Sequence, residues 1–189
     1  MEQPTAVTAD QLTIRVDDET ELRTIRLEDV DELYALIKRN CTRLHSWLAW
    51  ATPDYSRQDT HRFVSEHVAE NAEGVGLMMK ICHKGNLCGA IELHRIDRAN
   101  KSSSIGYWID EGHQGKGIIT GACRAIITEG FRRFGLHRVE IRCATWNHRS
   151  SAIPRRLEFV EEGILREAER LHDRWVDLRV FSMLAQDWK

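Results

Sequence analysis

The sequence has no apolar run approaching the ~20 residues that a membrane-spanning helix requires, and Met1 to Asp10 carry neither the basic segment nor the apolar segment of a secretory leader. A cytoplasmic location, with no membrane partner, is the expectation. There is also no surplus of one charge. Lys plus Arg number 27 and Asp plus Glu 29, a net charge of −2. That balance supplies no basic field for nucleic acid and no acidic tail. The five cysteines (Cys41, Cys82, Cys88, Cys123, Cys143) include no Cys-x-x-Cys. Their odd number and scatter argue for a reducing compartment and against a disulfide framework or a zinc site. The nine histidines also lack ligand spacing. None forms an i, i+4 pair around a glutamate, and His61 and His67, six apart, fall on different sides of a helix, so no metal is expected.

What is present suits a soluble globular protein. The 189 residues are 42% hydrophobic and 30% charged, enough for one domain with a substantial core. Residues 1–10 read as a loose terminus and 11–189 as one domain, since no repeat or linker divides them. Alternation predicts a hairpin over Leu12–Val16 and Glu21–Ile25. Asp29 is placed to cap a helix carrying Val30, Leu33, Leu36 and Ile37. A short second helix is expected over Thr42–Leu48. A third starts at Ser56, with Asp59 completing a capping box, and runs to about Asn71. Strands at Leu77–Cys82, Leu87–Ile96 and Ser103–Ile109 form an antiparallel meander. A long helix follows to about Phe134, with Gly135 just past its end. Then come a strand at Arg138–Ala144, a helix at Ser150–Leu157 and strands at Val160–Ala168 and Trp175–Leu184, the last two joined by a polar connection, Glu169–Arg174. This order implies an α+β fold around a mixed sheet.

One stretch carries a chemical signal. Between Ile109 and the long helix stand Gly112, Gly115 and Gly117. A glycine-rich strand-to-helix junction presents unpaired N–H groups at the positive end of a helix dipole, which suits a phosphate. Lys116 adds charge. The Walker pattern fails, because Gly-Lys is followed by Gly117. The dinucleotide pattern fails because the glycines stand as Gly-x-x-Gly-x-Gly, the wrong order.

Gln114-Gly115-Lys116-Gly117-Ile118-Ile119 resembles instead the pyrophosphate loop of the GNAT superfamily of N-acetyltransferases, Gln/Arg-x-x-Gly-x-Gly/Ala. Only Ile119, at the sixth position, departs from it. Downstream, Asn147, Ser150, Leu157 and Phe159 match the family's Asn-x-x-Ser and the helix end that follows. The pattern from Leu44-His45-Ser46-Trp47 to Trp50, with Gly163-Ile164-Leu165-Arg166-Glu167-Ala168, is similar to the branch that acetylates the N-termini of ribosomal proteins. The resemblance implies a seven-stranded, mostly antiparallel sheet splayed at its middle strands and flanked by helices. It implies acetyl-CoA as donor and a primary amine as acceptor, foremost a protein N-terminus, and a homodimer. Cofactor binding is expected from Ile109, Gln114, Gly115, Lys116, Gly117, Ile118, Ile119, Thr120, Asn147 and Ser150. Catalysis is expected from Ser150, as proton donor to the thiolate, and Glu169, as base. Trp47 and Trp50 are expected to wall the acceptor pocket.

Other readings stay open at this point. The acceptor can be a small amine (a polyamine, an aminoglycoside or an aminoacyl conjugate), with acidic residues around the pocket favouring a polyamine, or the chain can be a CoA sensor without turnover. Asn147 and Ser150 also suit a simple helix cap. Glu169 also suits a solvated charged loop. Cys143, mid-strand and without His–carboxylate partners, reads as a buried structural residue and not as a nucleophile. Where the family has Gly in a Leu-Gly-Phe triplet this chain has Glu158, so either a left-handed glutamate or an altered helix end is expected.

Overall fold

The computed structural model describes residues 12–189; the terminus expected at residues 1–10 lies outside them. A hairpin of β1 (Thr13–Arg15) and β2 (Thr20–Thr24) leads through a 3-10 turn to α1 (Val30–His45) and α2 (Arg57–Glu73). The meander β3 (Leu77–His83), β4 (Asn86–Asp97) and β5 (Ser102–Ile109) follows, then α3 (Ile118–Arg132), β6 (Arg138–Ala144), α4 (His148–Arg156), β7 (Val160–Leu171) and β8 (Arg174–Leu184). All strands join one sheet in the order β1-β2-β3-β4-β5-β6-β8-β7. The sheet therefore has eight strands and not seven, because the short β1 pairs with β2 as an added edge. No helix among the described residues is long and apolar enough to cross a membrane.

Strand alternation sorts the core into two layers. Leu77, Met79 and Ile81 face α3 with Ile91, Leu93, Ile126, Ile127 and Phe181. Met78 and Ala90 face the opposite way, against Leu33, Leu36, Ile37 and Val64 of α1 and α2. Asn71 locks α2 to the sheet: buried, it donates to the Met78 carbonyl (3.0 Å) and accepts from the Met78 N–H (2.7 Å).

The feature that matters for function is the one parallel pair among the described residues. β5 and β6 are in register only from Ser102↔Arg138 to Ile105↔Ile141. Past that point β5 stays paired with β4 out to Ile109, and β6 with β8 out to Ala144. The backbone edges of Gly106–Ile109 and Arg142–Ala144 thus diverge, leaving a wedge in the middle of the sheet.

Three local expectations are corrected. The separate helix at Thr42–Leu48 does not exist; α1 runs unbroken to His45 and turns at Ser46–Trp47. No Gly or Pro interrupts it, and Asn40, a natural breaker, is satisfied by donating to the Leu36 and Asp110 oxygens. Asp29 sits at the N-cap position without a side-chain cap; its carboxylate accepts from the Arg26 N–H and from Lys80. The polar connection Glu169–Arg174 is mostly strand. Glu169, Arg170 and Leu171 pair with Val176, Trp175 and Arg174, so the turn needs only His172 and Asp173.

Two helices end in the same Schellman geometry with different residues. In α2 the left-handed position is Gly74 (φ 65°), with Val75 N–H donating to Glu70 O and Gly74 N–H to Asn71 O. In α4 the equivalent bonds are Phe159 N–H to Pro154 O and Glu158 N–H to Arg155 O, and the left-handed residue is Glu158 (φ 61°). A side chain there carries a steric cost that glycine avoids, less the extra chain entropy glycine loses on folding. Glu158→Gly is therefore expected to stabilise the protein by about 0.5–1 kcal/mol, raising Tm by ~1–4 °C in calorimetry. An unchanged or lower Tm refutes the strain.

Candidate active site

The anion cradle follows from local backbone geometry. β5 ends at Ile109, a 3-10 turn covers Glu111–His113, and Gln114 is extended. Gly115 (φ 74°) and Gly117 (φ 79°) then reverse the chain into α3. Both glycines are required by their left-handed φ, and neither is crowded: a Cβ on either would meet nothing within 4 Å. α3 has no side-chain N-cap and no acidic residue in its first turn. Its first intrahelical bond among these residues runs from Gly121 N–H to Gly117 O. The N–H groups of Ile118, Ile119 and Thr120 thus have no intrahelical partner at the positive end of a 15-residue helix. This fits a pyrophosphate. Ile119 turns its side chain into the core (9% exposed), so the departure at that position is absorbed by packing. Lys116 is exposed beside the loop. Arg149 of α4, which sequence reasoning missed, donates to Gln114 Oε1 at 2.6 Å and brings a second cation there.

The loop is anchored to α1. Asp110 accepts from Asn40 Nδ2 (2.7 Å), Arg39 Nε (3.3 Å) and His113 Nδ1 (3.0 Å), while Glu111 N–H donates to Asn40 Oδ1 (3.0 Å). Arg43 donates to the Ile109 carbonyl and to Asn40 Oδ1, with its Nε buried and without a partner. Burial lowers the Arg43 pKa, partly offset by Glu111 and Asp110.

Asn147 and Ser150 sit at the start of α4, across the wedge from β5. The Asn147 side chain caps the helix, accepting from Ser150 N–H at 3.1 Å. Ser150 also meets β5: the Tyr107 hydroxyl lies 3.1 Å from both the Ser150 carbonyl and Ser150 Oγ. The carbonyl can only accept from the Tyr107 O–H, whereas between the two hydroxyls either can donate. Burial pushes the Tyr107 hydroxyl pKa well up, so it stays neutral. Tyr107 reads from sequence merely as an inward strand residue; nothing local reports its partner 43 positions away.

Glu169 lies in β7 directly across from Val176. Cross-strand partners share a face, and Val176 packs with Leu171, Leu178 and Trp146, the residue before Asn147. A register irregularity between Leu165 and Glu169, with Glu167 at φ 46°, bends the strand there. Glu169 is exposed on the strand, and desolvation by the protein around it raises its pKa above the ordinary carboxylate value. The hairpin tip is pinned to the end of α1, where the His172 and His45 rings stack at 3.7 Å and His172 Nε2 lies 2.8 Å from the His45 carbonyl.

On the α1–α2 side of the wedge is a cavity of about 350 Å³. Its wall is aromatic, from Trp50, Tyr55, Phe63 and Trp108, and it also carries Asp59 and Glu66. Asp59 is committed to Ser56 and Arg62. Trp108 is the strand neighbour of Ile109, so the cavity adjoins the diverging end of β5. Trp50 lines it; Trp47, half-buried in the turn after α1, does not. Cys143 is buried, and desolvation raises its thiol pKa, which suits a structural residue.

Comparison with known proteins gives a consistent answer. Residues 20–160 match the Acetyltransferase (GNAT) domain. The chain is 36% identical over 179 residues to a putative ribosomal N-acetyltransferase, YdaF, of Bacillus subtilis, covering 94% of this chain and 97% of that protein. It is also 36% identical over 172 residues to the ribosomal-protein-serine acetyltransferase of Escherichia coli, covering 91% and 96%. Among solved structures, RimL, a ribosomal L7/L12 α-N-protein acetyltransferase in complex with coenzyme A, superposes with a TM-score of 0.88 at 29% identity, covering 92% of this chain and 98% of that one.

The anchoring of the loop has a pH signature. Desolvation opposes ionisation of Asp110, but the donors from Asn40, His113 and Arg39 outweigh it and hold its pKa at about 2, against 3.8 in the unfolded chain. A depressed pKa means that the ionised form is favoured on folding. The contribution is complete above the unfolded value and is lost as pH falls from 3.8 towards about 2. At ~pH 6, Asp110→Asn is expected to cost about 2 kcal/mol in urea unfolding, a difference that fades as the medium approaches ~pH 2. A difference independent of pH rules out this linkage.

Proposed function

Since the chain belongs to the GNAT acetyltransferase family and is an acetyl-CoA-dependent N-acetyltransferase, we propose that its acceptor is the N-terminal α-amine of a ribosomal protein or peptide. The observation that carries this reading is near-complete coverage, 94% and 91% of the chain, by two relatives named for ribosomal protein acetylation. The chemistry supports it. An α-amino group has a pKa of ~7.7–8.0, well below the ~10.4 of a lysine side chain, so a carboxylate can deprotonate it without severe cost.

In this reading Gly115, Lys116, Gly117, Ile118, Ile119 and Thr120 hold the pyrophosphate, with Gln114 fixed by Arg149. The unpaired edge of β5 up to Ile109 receives the amide-bearing arm of the donor, and Asn147 orders the start of α4. The amine nitrogen attacks the thioester carbonyl, forming the C–N bond as the C–S bond breaks. Glu169 takes the amine's proton, directly or through water. Ser150 gives its proton to the departing thiolate and regains one from solvent. Its contact with Tyr107 and its place at the capped end of α4 suit that role. The raised pKa of Glu169 suits a base.

Trp50, Tyr55, Phe63 and Trp108 form the acceptor wall, where aromatic faces can hold an ammonium. Glu66, which makes no hydrogen bond or ion pair among the described residues, and Asp59 also favour a second reading, a polyamine. The protein is cytoplasmic and homodimeric in this proposal. Val160, Ile164, Leu165 and Trp175, all exposed on the terminal β7–β8 hairpin, offer an apolar edge for a second copy.

Two experiments test the proposal. Thiol release from acetyl-CoA is expected with Ser- or Ala-starting peptides and not with free spermidine; the reverse result defeats the N-terminal reading and leaves the polyamine one. Glu169→Gln is expected to lower kcat ~10²–10⁴-fold with the acetyl-CoA KM little changed, and to abolish the fall in rate on the acid side of the profile. An intact acid limb removes Glu169 as the base.

A further inference from the structure

A group of side chains outside this machinery converges where α2 crosses β4. His67 and Glu70, i and i+3 on α2, share a helix face and meet Glu92 of β4. His67 Nε2 lies 3.2 Å from Glu92 Oε1 and 3.9 Å from Glu70 Oε2. The three ligand atoms all fall within 4.8 Å of one another. Donors ~2.0–2.2 Å from one shared tetrahedral ion stand roughly 3.3–3.6 Å apart, a spacing that the 3.2 Å and 3.9 Å separations bracket.

The supporting contacts point in the same direction. His67 Nδ1 lies 2.7 Å from the Phe63 carbonyl, to which it can only donate. That bond turns Nε2 toward the carboxylates, the orientation metal-ligating histidines usually take. Glu92 is 8% exposed, and its second oxygen is held by His94 Nδ1 at 3.1 Å. The His94 ring occupies the space above Gly106, where a Cβ would come within 2.3 Å of its Nε2. The Glu70 side chain makes no hydrogen bond among the described residues, and its carboxylate stands 3.9 Å from His67 Nε2, free to join a shared cation. Glu70 is also 44% exposed, which opens a path to solvent.

We propose that His67 Nε2, Glu70 and Glu92 bind a divalent first-row transition-metal ion, with His94 orienting Glu92. One imidazole and two carboxylates suit Zn²⁺ and Co²⁺ over Mg²⁺ or Ca²⁺, which prefer all-oxygen sites. The ion ties the second half of α2 to β4, directly behind Phe63, whose ring lies 4.1 Å from that of His67 and which lines the aromatic cavity. It takes no part in acetyl transfer. The site is independent of the acceptor reading above.

The test uses chelator-treated full-length protein titrated with ZnCl₂ and CoCl₂. One equivalent of Zn²⁺ is expected to bind by calorimetry and, at a hundredfold excess over Kd, to raise Tm by ~5–10 °C. The Co²⁺ complex is expected to show d–d bands without a sulfur-to-cobalt charge-transfer band. Glu70→Gln, at a partly exposed position that should leave folding intact, is expected to weaken Zn²⁺ ~10-fold or more, and His94→Ala by ~10–100-fold, with the acetyl-CoA KM unchanged in Glu70→Gln. The proposal is overturned by the absence of a Tm shift, by a shift undiminished in Glu70→Gln, by thiolate bands in the cobalt spectrum, or by equal stabilisation with Mg²⁺.

Discussion

The constraint on which the rest of the molecule depends is the brevity of the parallel pairing between β5 and β6. Four residue pairs hold the two halves of the sheet together, from Ser102 to Ile105 on one side and Arg138 to Ile141 on the other. Beyond them each strand is committed to its antiparallel neighbour, and the sheet parts. A sheet normally leaves no interior backbone unpaired. Here the unpaired edge is free to receive an amide-bearing substrate, and both helical layers have access to the same opening. In the proposed reading the donor's phosphates are met on the α3 side and the acceptor cavity lies on the α1–α2 side. The wedge is the passage between them.

Holding such an opening requires struts across it, and the chain supplies three of different chemistry. Tyr107 reaches from β5 to Ser150 of α4. The Asn40–Asp110–Arg43 group ties the end of β5 to α1, with Arg43 holding the Ile109 carbonyl. The stacked pair His45 and His172 joins α1 to the tip of the β7–β8 hairpin. Each strut also meets an element of the proposed site. Tyr107 contacts Ser150, Asp110 holds the entry to the glycine loop, and the histidine pair holds the hairpin that carries Glu169. In that reading rigidity and reactivity rest on the same few polar contacts, which are more directional than the apolar packing around them.

The errors of sequence reading have specific causes. The helix expected separately at Thr42–Leu48 merges into α1, which runs through Asn40 because that side chain, which could compete with the backbone, donates to Leu36 O and Asp110 instead. The charged run Glu169–Arg174 suggested a loop because its polar residues hid the apolar Leu171, which is 3% exposed. The resemblance placed Trp47 and Trp50 together at the acceptor pocket. The chain turns at Ser46–Trp47, and only Trp50 lines the cavity.

By itself the sequence determined what is local in origin: the Ser56–Asp59 capping box, the left-handed glycines of the phosphate loop, the odd Glu158 at a helix end and the strand–helix order. Each depends on φ, on a hydrogen bond spanning three or four residues, or on apolar period, and all of these are legible within a short window. The tertiary structure alone decided how far β5 and β6 pair, that Tyr107 meets Ser150, that Asn40, Arg43 and Asp110 form one group, and that His67 and Glu70 of α2 face Glu92 of β4, 25 positions along the chain from His67. Those outcomes depend on register and on the crossing of helix over strand. They are set by the sum of many weak contacts distributed through the core, and no single stretch of chain contains them.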